Sequence, residues 1–265
     1  MPVLDTQALS RSFNGRLAVD GLTIAVEAGE VFGLLGPNGA GKTTTIKMLT
    51  TLLPPSSGTA HVAGFDIVRQ SSAVRRVIGY VPQLISADGA LTGYENLLMF
   101  AKLYDIPRRQ RKALVNASLA FMGLSDAGGK LVNQYSGGMI RRLEIAQSML
   151  HQPPVLFLDE PTVGLDPVAR SAVWEHILRL RDEHGTTIFC TTHLMEEADA
   201  FCSRVAIMHL GKVAALGSPD DLKKSLGRPD ANLDDVFIHY SGNSLEQEGS
   251  YREISRARRT ARRLG

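Results

Sequence analysis

The sequence contains only two cysteines, Cys190 and Cys202, and they do not form a CxxC pair. No cluster of histidines accompanies them, so we expect neither a zinc site nor a framework of disulfides. Two isolated thiols fit a reducing compartment, where they serve as small buried residues of the core.

Long hydrophobic runs are also missing. The apolar runs, such as residues 31–35 and 155–158, fall far short of the ~20 residues that a membrane-spanning helix needs. The chain does not open with the charged and then apolar segment of a secretory leader. We therefore expect a soluble protein that stays inside the cell and acts at a membrane only through a partner.

Most of the chain lacks an excess of basic charge. The formal net charge is +2, but residues 249–265 contain six arginines and one glutamate. The other 248 residues therefore carry a net charge of −3, which argues against nucleic acid as the main ligand. The hydrophobic content of 44% is ordinary for a globular protein, and the length allows one large domain or two small ones.

The clearest local pattern is a buried strand, a glycine-rich loop and a helix. Residues 31–35 form a continuous apolar run, which is typical of a strand buried on both faces. The glycine-rich loop follows at residues 36–41, and residues 42–52 have helical character. Before them, the first thirty residues are predicted to form strands; apolar and polar residues alternate over residues 22–27, which predicts a strand that ends at the Gly29 turn. This order predicts the start of an α/β unit.

The rest of the chain mixes strands and helices, except in one region. Between about residues 85 and 135 the sequence shows helical spacing and no clear strand, which predicts a helical subdomain inserted into the core. Further strands are predicted at residues 59–62, 77–81, 155–158, 186–190, 204–209 and 212–216, and the last two are expected to pair as a hairpin across Gly211. Further helices are predicted at residues 94–104, 108–122, 137–150, 168–184, 195–200 and 220–226.

The glycine-rich loop matches the phosphate-binding pattern GxxxxGK[ST]. Its glycines let backbone N–H groups turn towards a phosphate, and the positive end of the following helix points at the same anion. Lys42 is placed to reach the β- and γ-phosphates, and the Thr43 hydroxyl to ligate Mg²⁺. The residues predicted to bind ATP here are Gly36, Pro37, Asn38, Gly39, Ala40, Gly41, Lys42, Thr43 and Thr44. The loop alone fits kinases, GTPases and motor ATPases equally well.

Two acidic residues follow the apolar run at residues 155–158. A carboxylate at the end of a buried strand beside a phosphate loop can hold Mg²⁺, usually through water, and we assign this role to Asp159. Glu160 is then placed to polarise the attacking water. The alternative is a solvated strand end without a function, which would be preferred if the phosphate loop were absent.

Several short motifs resemble those of the ABC family, and they occur in the family's order. Tyr135-Ser136-Gly137-Gly138-Met139 resembles the signature, usually LSGGQ. Gln83 resembles the glutamine of the Q-loop, Val163-Gly164-Leu165-Asp166 resembles the D-loop, and His193 resembles the switch histidine. Phe13 lies where the family has an aromatic residue that stacks on adenine. The resemblance extends over roughly residues 3–227, and the ordered set is far more specific than any single motif.

The resemblance implies an α/β fold with a P-loop NTPase core of ABC type, an antiparallel β subdomain and an inserted helical subdomain. It implies an ATPase domain at residues 1–227, a C-terminal extension at residues 228–248 and an Arg-rich tail at residues 249–265. The implied catalytic residues are Glu160, as the base, and His193, which helps to hold the attacking water. Further ATP contacts are implied for Phe13, Gln83, Ser136, Gly137, Gly138 and Asp166, and Mg²⁺ ligands are implied to be Thr43, Gln83 and Asp159.

The signature also has a physical interpretation. Ser136 is suited to cap a helix that begins at Gly137, and Gly137 and Gly138 present N–H groups at its positive end. This is a second anion site, and both sites reach one γ-phosphate only if two subunits face each other head to tail. Together with the resemblance, this implies a dimer with two ATP molecules between its subunits. Tyr135 and Met139 depart from the usual signature but leave Ser136 and both glycines in place.

The resemblance also indicates partners. Residues 44–50, 64–66 and 232–238 resemble the branch that powers ABC-2 type exporters, which includes the daunorubicin/doxorubicin resistance ATPases. It implies ATP and Mg²⁺ as cofactors, a second copy in a homodimer, and a separate ABC-2 type permease. The chain would then lie peripherally on the cytoplasmic face of the membrane and drive export of a drug, a lipid or a glycan.

Two other functions remain open at this point. An importer ATPase shares every catalytic motif, and a non-transport ABC ATPase acts in translation or DNA repair. The second group carries two nucleotide domains in one chain or a long coiled-coil insertion, and this sequence has neither. The Arg-rich tail could form a basic amphipathic helix on anionic lipid, or it could be disordered or contact a partner.

Overall fold

A computed structural model describes residues 2–241 of the chain. The first half contains β1 (Leu4–Phe13), β2 (Arg16–Leu22), β3 (Ala25–Val26), β4 (Val31–Leu35), α1 (Lys42–Leu49), β5 (Ser57–Val62), β6 (Phe65–Asp66), α2 (Ser71–Arg76), β7 (Ile78–Val81), α3 (Gly93–Leu103) and α4 (Arg108–Phe121). The second half contains α5 (Gly137–Met149), β8 (Val155–Asp159), α6 (Pro167–His184), β9 (Thr187–Thr192), α7 (Met195–Phe201), β10 (Arg204–His209), β11 (Lys212–Gly217), α8 (Pro219–Ser225) and α9 (Leu233–Ser241).

The core is a six-stranded sheet in the order β11-β10-β4-β9-β8-β7. All neighbours are parallel except β10 and β11, which form the predicted hairpin. Every residue of β4, β8 and β9 is buried, as expected for strands covered on both faces. Leu35 pairs with Thr192, and Asp159 pairs with Thr191, so these three strands end side by side. The glycine-rich loop and the two acids therefore meet at one edge of the sheet.

A second, antiparallel sheet contains β2-β1-β5-β6, with β3 paired to β1. The single strand predicted over residues 22–27 is wrong, because β2 ends at Leu22 and β3 covers only Ala25–Val26. The Thr6 side chain causes the break. Its hydroxyl donates to the Leu22 carbonyl at 2.9 Å and accepts from the Ile24 N–H at 3.0 Å, so a side chain replaces a strand ladder there.

The helical subdomain has the predicted place in the chain. A capping box starts α3, in which the Thr92 hydroxyl accepts from the Glu95 N–H and the Glu95 carboxylate accepts from the Thr92 N–H. Leu97 on α3 and Val115 and Leu119 on α4 are buried in the same core cluster as the central strands. The predictions of an α/β core, an antiparallel β subdomain and an inserted helical subdomain are confirmed.

Three short elements were not predicted from the sequence: β6, α2 and α9. Helix α9 packs against α7, α8 and β11, and it places Leu233, Val236 and Phe237 in the core. Residues 233–241 of the predicted extension therefore contribute to the folded body. The Arg-rich tail at residues 249–265 lies outside the described residues. Within residues 2–241, no helix has both the length and the hydropathy needed to cross a membrane.

His151 makes the stability of this fold dependent on pH. Its ring stacks on Tyr104 with 4.0 Å between centroids, and its Nε2 donates to the Ile78 carbonyl at 3.0 Å. Burial lowers the pKa of His151, although the hydrogen bond to Ile78 opposes this shift. In the neutral ring, Nδ1 has no proton. Among the described residues no hydrogen-bond partner meets this atom, so protonation would bury an unpaired charge.

We therefore expect the free energy of unfolding to decrease as the pH is lowered below about 6.5, because the unfolded chain binds a proton at His151 more readily than the folded chain does. His151→Phe keeps the ring stack, cannot titrate, and costs about 1 kcal/mol at pH 8 through the lost hydrogen bond. The difference in free energy of unfolding between the variant and the native chain should shrink or reverse at pH 5.5. Urea unfolding of both proteins at pH 8 and pH 5.5 measures this. An equal difference at both pH values would contradict it.

Candidate functional site

At two positions of the phosphate loop, the backbone adopts a conformation that glycine tolerates and other residues rarely adopt. Gly36 has a φ of 155° and Gly41 a φ of 108°, both unfavourable for other residues. A Cβ on Gly36 would lie 2.3 Å from the Met208 carbonyl oxygen, and one on Gly41 would lie 2.4 Å from the Ala18 carbonyl oxygen. The loop is thus packed against β10 and β2, which fixes its shape beside the start of α1.

Lys42 is the first residue of α1, and its charged group is almost fully buried. Its Nζ donates to the carbonyls of Gly36 at 2.8 Å and Pro37 at 3.2 Å, which folds the side chain back along the loop. The same Nζ lies 3.2 Å from Glu160 Oε1. Lys42 is thereby shared between the loop that it follows and the carboxylate at the end of β8.

Glu160 is the centre of this group of side chains. It is 5% exposed and has a φ of +50°, a strained conformation for a residue with a side chain. Its backbone N–H donates to the hydroxyl of Thr191 at 3.0 Å, which holds the turn. Its Oε2 accepts from Gln83 Nε2 at 3.3 Å and lies 3.2 Å from His193 Nδ1. The structure therefore brings Lys42, Gln83, Glu160 and His193 together.

Asp159 lies one residue earlier and is also buried. Its Oδ1 accepts from the Thr191 hydroxyl at 2.6 Å and from the Thr43 hydroxyl at 3.2 Å. The predicted metal ligands Thr43 and Asp159 are therefore adjacent. One carboxylate and one hydroxyl beside a phosphate loop fit Mg²⁺, which takes a few protein oxygens and completes its shell with water and phosphate.

The loop that carries His193 is fixed by a second buried acid, Glu197 on α7. Its Oε1 accepts from the Thr162 hydroxyl at 2.5 Å, and its Oε2 lies 3.5 Å from the Thr192 hydroxyl. Arg170 Nε lies 3.3 Å from Oε1 and balances the charge. Glu197 thus ties together the segments that follow β8 and β9, which keeps His193 facing Glu160.

An open cavity of about 380 Å³ lies beside these side chains, and Asp159 and His193 do not line it. It is lined by Ala18, Asn38, Gly39, Gly41, Lys42, Thr43, Thr44, Gln83 and Glu160. Sequence reasoning gave no role to Ala18, which belongs to no motif, or to Thr191 beneath the two acids, which precedes His193 by two residues. Phe13 does not line the cavity; its ring is 43% exposed and carries the Arg11 guanidinium at 4.8 Å.

The signature starts α5 away from this cavity. Ser136 caps the helix by accepting from the Met139 N–H at 3.3 Å, as predicted. Ser136 and Gly137 are exposed, whereas Gly138 is buried against Ala169, so a Cβ there would lie 2.9 Å from the Cβ of Ala169. The chain therefore has two separate helix N-termini with glycine-rich entries, one in the cavity and one on the open surface.

Asp166 of the predicted site and Tyr135 of the signature have roles within the subunit. Asp166 caps α6 by accepting from the N–H groups of Val168 and Ala169, both at 3.0 Å, and it does not line the cavity. Tyr135 is buried and donates its hydroxyl to the Ala127 carbonyl at 2.7 Å. The tyrosine thereby joins the signature to the helical subdomain, which explains this departure from the usual leucine.

Comparison with known proteins gives concordant matches. A model of the ABC transporter family matches residues 19–163. The chain is 46% identical to the daunorubicin/doxorubicin resistance ATP-binding protein DrrA of Streptomyces peucetius, over 92% of this chain and 73% of that protein. It is 42% identical to the Nod factor export ATP-binding protein I of Burkholderia thailandensis, over 84% of this chain and 73% of that protein. A solved ATP binding subunit of an ABC transporter is 28% identical, with a TM-score of 0.80 over 91% of this chain and 100% of that one.

Proposed function

This chain belongs to the ABC transporter family and is an ATP-hydrolysing subunit, and we propose from this premise that it drives an ABC-2 type exporter. In this proposal it hydrolyses MgATP and powers efflux of a drug, a lipid or a glycan through a separate permease. One observation carries the catalytic part: Glu160 is held between Lys42, Gln83 and His193 at the mouth of the phosphate loop.

In the proposed reaction the phosphate loop binds the nucleotide. The backbone N–H groups from Gly39 to Thr44 and the N-terminus of α1 face the phosphates, and Lys42 neutralises the β- and γ-phosphates. ATP competes with Glu160 for Lys42, since both anions reach the same buried ammonium group. Binding would therefore release Glu160 from Lys42 and leave its carboxylate free to accept a proton.

Glu160 is proposed as the general base. Its carboxylate accepts a proton from the water that attacks the γ-phosphate, while His193 and Gln83 hold that water from the sides. Strain at Glu160 and the hydrogen bond from its N–H to Thr191 fix the carboxylate in this direction. Rigid placement of this kind lowers the barrier, because the water and its base meet in one geometry.

Mg²⁺ would be held by Thr43 and Asp159, with Gln83 as a further ligand. The buried Asp159 carboxylate and the Thr43 hydroxyl that it meets are the oxygen ligands that a small, strongly hydrated cation takes beside phosphates. When bound, the ion neutralises charge on the β- and γ-phosphates. Thr191 serves this site indirectly, because its hydroxyl orients Asp159 Oδ1 at 2.6 Å.

The catalytic site is proposed to be completed by a second copy of the chain. Ser136 and Gly137 lie exposed at a helix N-terminus that does not belong to the cavity. In a head-to-tail dimer they meet the γ-phosphate bound at the partner's phosphate loop, and Phe13 stacks on adenine. ATP then joins two subunits, and hydrolysis separates them.

Exposed apolar side chains on residues 82–88 and on α3 support the permease as partner. Leu84, Ile85, Met99 and Leu103 are 81%, 62%, 37% and 68% exposed, respectively. Large apolar side chains that remain exposed are available for contact with another protein. We propose that the permease binds here and holds the chain peripherally at the cytoplasmic face. The names of the two bacterial relatives, which concern daunorubicin/doxorubicin resistance and Nod factor export, favour efflux over import.

We expect the chain and its permease to transport cargo outward. In inside-out vesicles that contain the permease, added chain and MgATP should accumulate daunorubicin, a test lipid or a glycan in the lumen. Glu160→Gln in place of the native chain provides the matched control and should abolish accumulation. ATP-driven release of preloaded cargo would instead identify an importer. ATP hydrolysis without movement of any tested cargo in either direction would contradict the exporter proposal.

A further inference from the structure

The segment between β7 and α3, residues 82–88, carries Gln83 into the catalytic group. It has no helix or strand of its own, and Leu84 and Ile85 are both exposed. A segment of this kind is expected to move freely unless something holds it. Helix α5, which starts at the signature, holds it from both ends.

Arg141 of α5 holds the first end of the segment. Its Nη1 donates to the Pro82 carbonyl at 2.7 Å, and its Nη2 donates to the Gln83 carbonyl at 2.9 Å. The side chain is 6% exposed, so these bonds do not compete with bulk water. The planar guanidinium spans two successive carbonyls, a geometry that a lysine ammonium cannot reproduce.

Glu144 of α5 holds the other end. Its Oε1 accepts from the Ser86 N–H at 2.5 Å, from the Ser86 hydroxyl at 3.0 Å and from the Ala87 N–H at 3.3 Å. Its Oε2 lies 3.0 Å from Arg141 Nη1. The two buried charges therefore neutralise each other, and each also binds backbone groups of the segment.

A third contact extends this pattern one helical turn further. Gln147 donates to Asn96 Oδ1 at 3.2 Å, and the same oxygen accepts from the Asp88 N–H at 3.0 Å. Arg141, Glu144 and Gln147 are spaced three residues apart, which places them on one face of α5. That face is polar and buried, and it is directed entirely at residues 82–96.

We propose that Arg141 and Glu144 are positioning residues that bind the Gln83 segment to the signature helix. Arg141 fixes the carbonyls of Pro82 and Gln83, so the Gln83 side chain stays directed at Glu160. Because both ends of the segment are attached to α5, a displacement of Leu84 or Ile85 also displaces the helix that begins with Ser136. This transmission to the signature rests on the exporter function proposed above, whereas the positioning of Gln83 does not.

A spin label on the segment tests the attachment directly. Leu84→Cys introduces the single reactive thiol of the chain, because Cys190 and Cys202 are buried and no other cysteine exists. In the otherwise native chain, the electron paramagnetic resonance spectrum of a nitroxide at this position should be broad. The double variant Arg141→Met/Glu144→Leu removes both charges together, so neither is left buried and unpaired. Its spectrum should narrow.

Steady-state kinetics on the unlabelled proteins provide the second readout. The double variant should lower kcat for ATP by about 10- to 100-fold, since Gln83 is no longer held towards Glu160. KM for ATP should change far less, because the phosphate loop is untouched. Arg141→Lys keeps the charge but cannot span both carbonyls, so it should give intermediate values of kcat and label mobility. This variant also keeps the test available if the double variant does not fold.

Arg142→Met provides a matched control on the same helix. Arg142 donates to the Met122 carbonyl at 2.9 Å and so ties α5 to the end of α4. Loss of the Arg142 side chain should leave the spectrum of the label at position 84 broad. A broad spectrum in a folded Arg141→Met/Glu144→Leu chain, or an unchanged kcat, would overturn the positioning proposal. Neither measurement needs a permease. The positioning proposal can therefore be confirmed or contradicted whether or not the exporter proposal holds.

Discussion

Replacing Glu160 with glutamine should stop ATP hydrolysis, with kcat falling by about 10²- to 10⁴-fold, the usual contribution of a general base. The amide has nearly the same shape as the carboxylate but accepts no proton at neutral pH. It also removes the anion that lies 3.2 Å from Lys42. ATP then binds Lys42 without competition, so the Kd for ATP should stay equal or decrease. Phosphate release measures kcat, and calorimetric titration measures Kd.

The arrested protein should also remain a dimer. If ATP joins two subunits and hydrolysis separates them, Glu160→Gln with MgATP should elute at twice the mass of the same protein without nucleotide. Glu183→Gln provides the control, since Glu183 forms an exposed ion pair with Arg179 on α6 and does not line the cavity. It should hydrolyse ATP at the native rate. Hydrolysis by Glu160→Gln at the native rate would remove Glu160 from the role of base.

The second large effect concerns the two separate helix N-termini. Lys42→Ala should weaken ATP binding by about 10- to 100-fold, because it removes charge-assisted hydrogen bonds worth about 1.5–3 kcal/mol. Ser136→Glu should leave ATP binding to the phosphate loop unchanged but abolish hydrolysis. The new carboxylate repels the γ-phosphate, while the exposed position tolerates its size. Titration with ATP distinguishes the two variants, because only Lys42→Ala should bind ATP more weakly than the native chain.

Each of these variants should fold. Ser136 is exposed, and a carboxylate at a helix N-terminus interacts favourably with the helix dipole. Lys42→Ala leaves the Glu160 carboxylate without its ammonium partner, although His193 and Gln83 still contact it. Thermal unfolding without nucleotide checks this. A Ser136→Glu chain that hydrolyses ATP normally would contradict a role for the signature in catalysis.

Local sequence patterns predicted much of the core. The continuous apolar runs of β4 and β8 and the glycines after β4 have few other interpretations, and the strands, loop and helix lie where expected. Short elements were missed: α2 has six residues, and α9 depends on Leu233, Val236 and Phe237 meeting the core from a distance. Periodicity over so few residues does not distinguish a helix from a loop.

Residues that act through long-range contacts escaped prediction for a different reason. Thr6 interrupts the strand predicted at residues 22–27 through a hydrogen bond across 16 positions in the sequence. Thr191 orients Asp159 across 32 positions, and Arg141 holds the Pro82 carbonyl across 59. Nothing local distinguishes these side chains from a surface threonine or arginine. The motif residues of the cavity were predicted, but the groups that position them became visible only in the fold.

Mixing two inactive chains tests the central claim, a catalytic site shared by two subunits, most directly. In a head-to-tail dimer of Lys42→Ala with Ser136→Glu, one site combines both defects, and the other combines an intact phosphate loop with an intact signature. Random pairing of equal amounts should therefore restore hydrolysis to about a quarter of the native rate, if the two sites act independently. A mixture no more active than its separate components, although both chains remain folded and associate, would contradict the shared site.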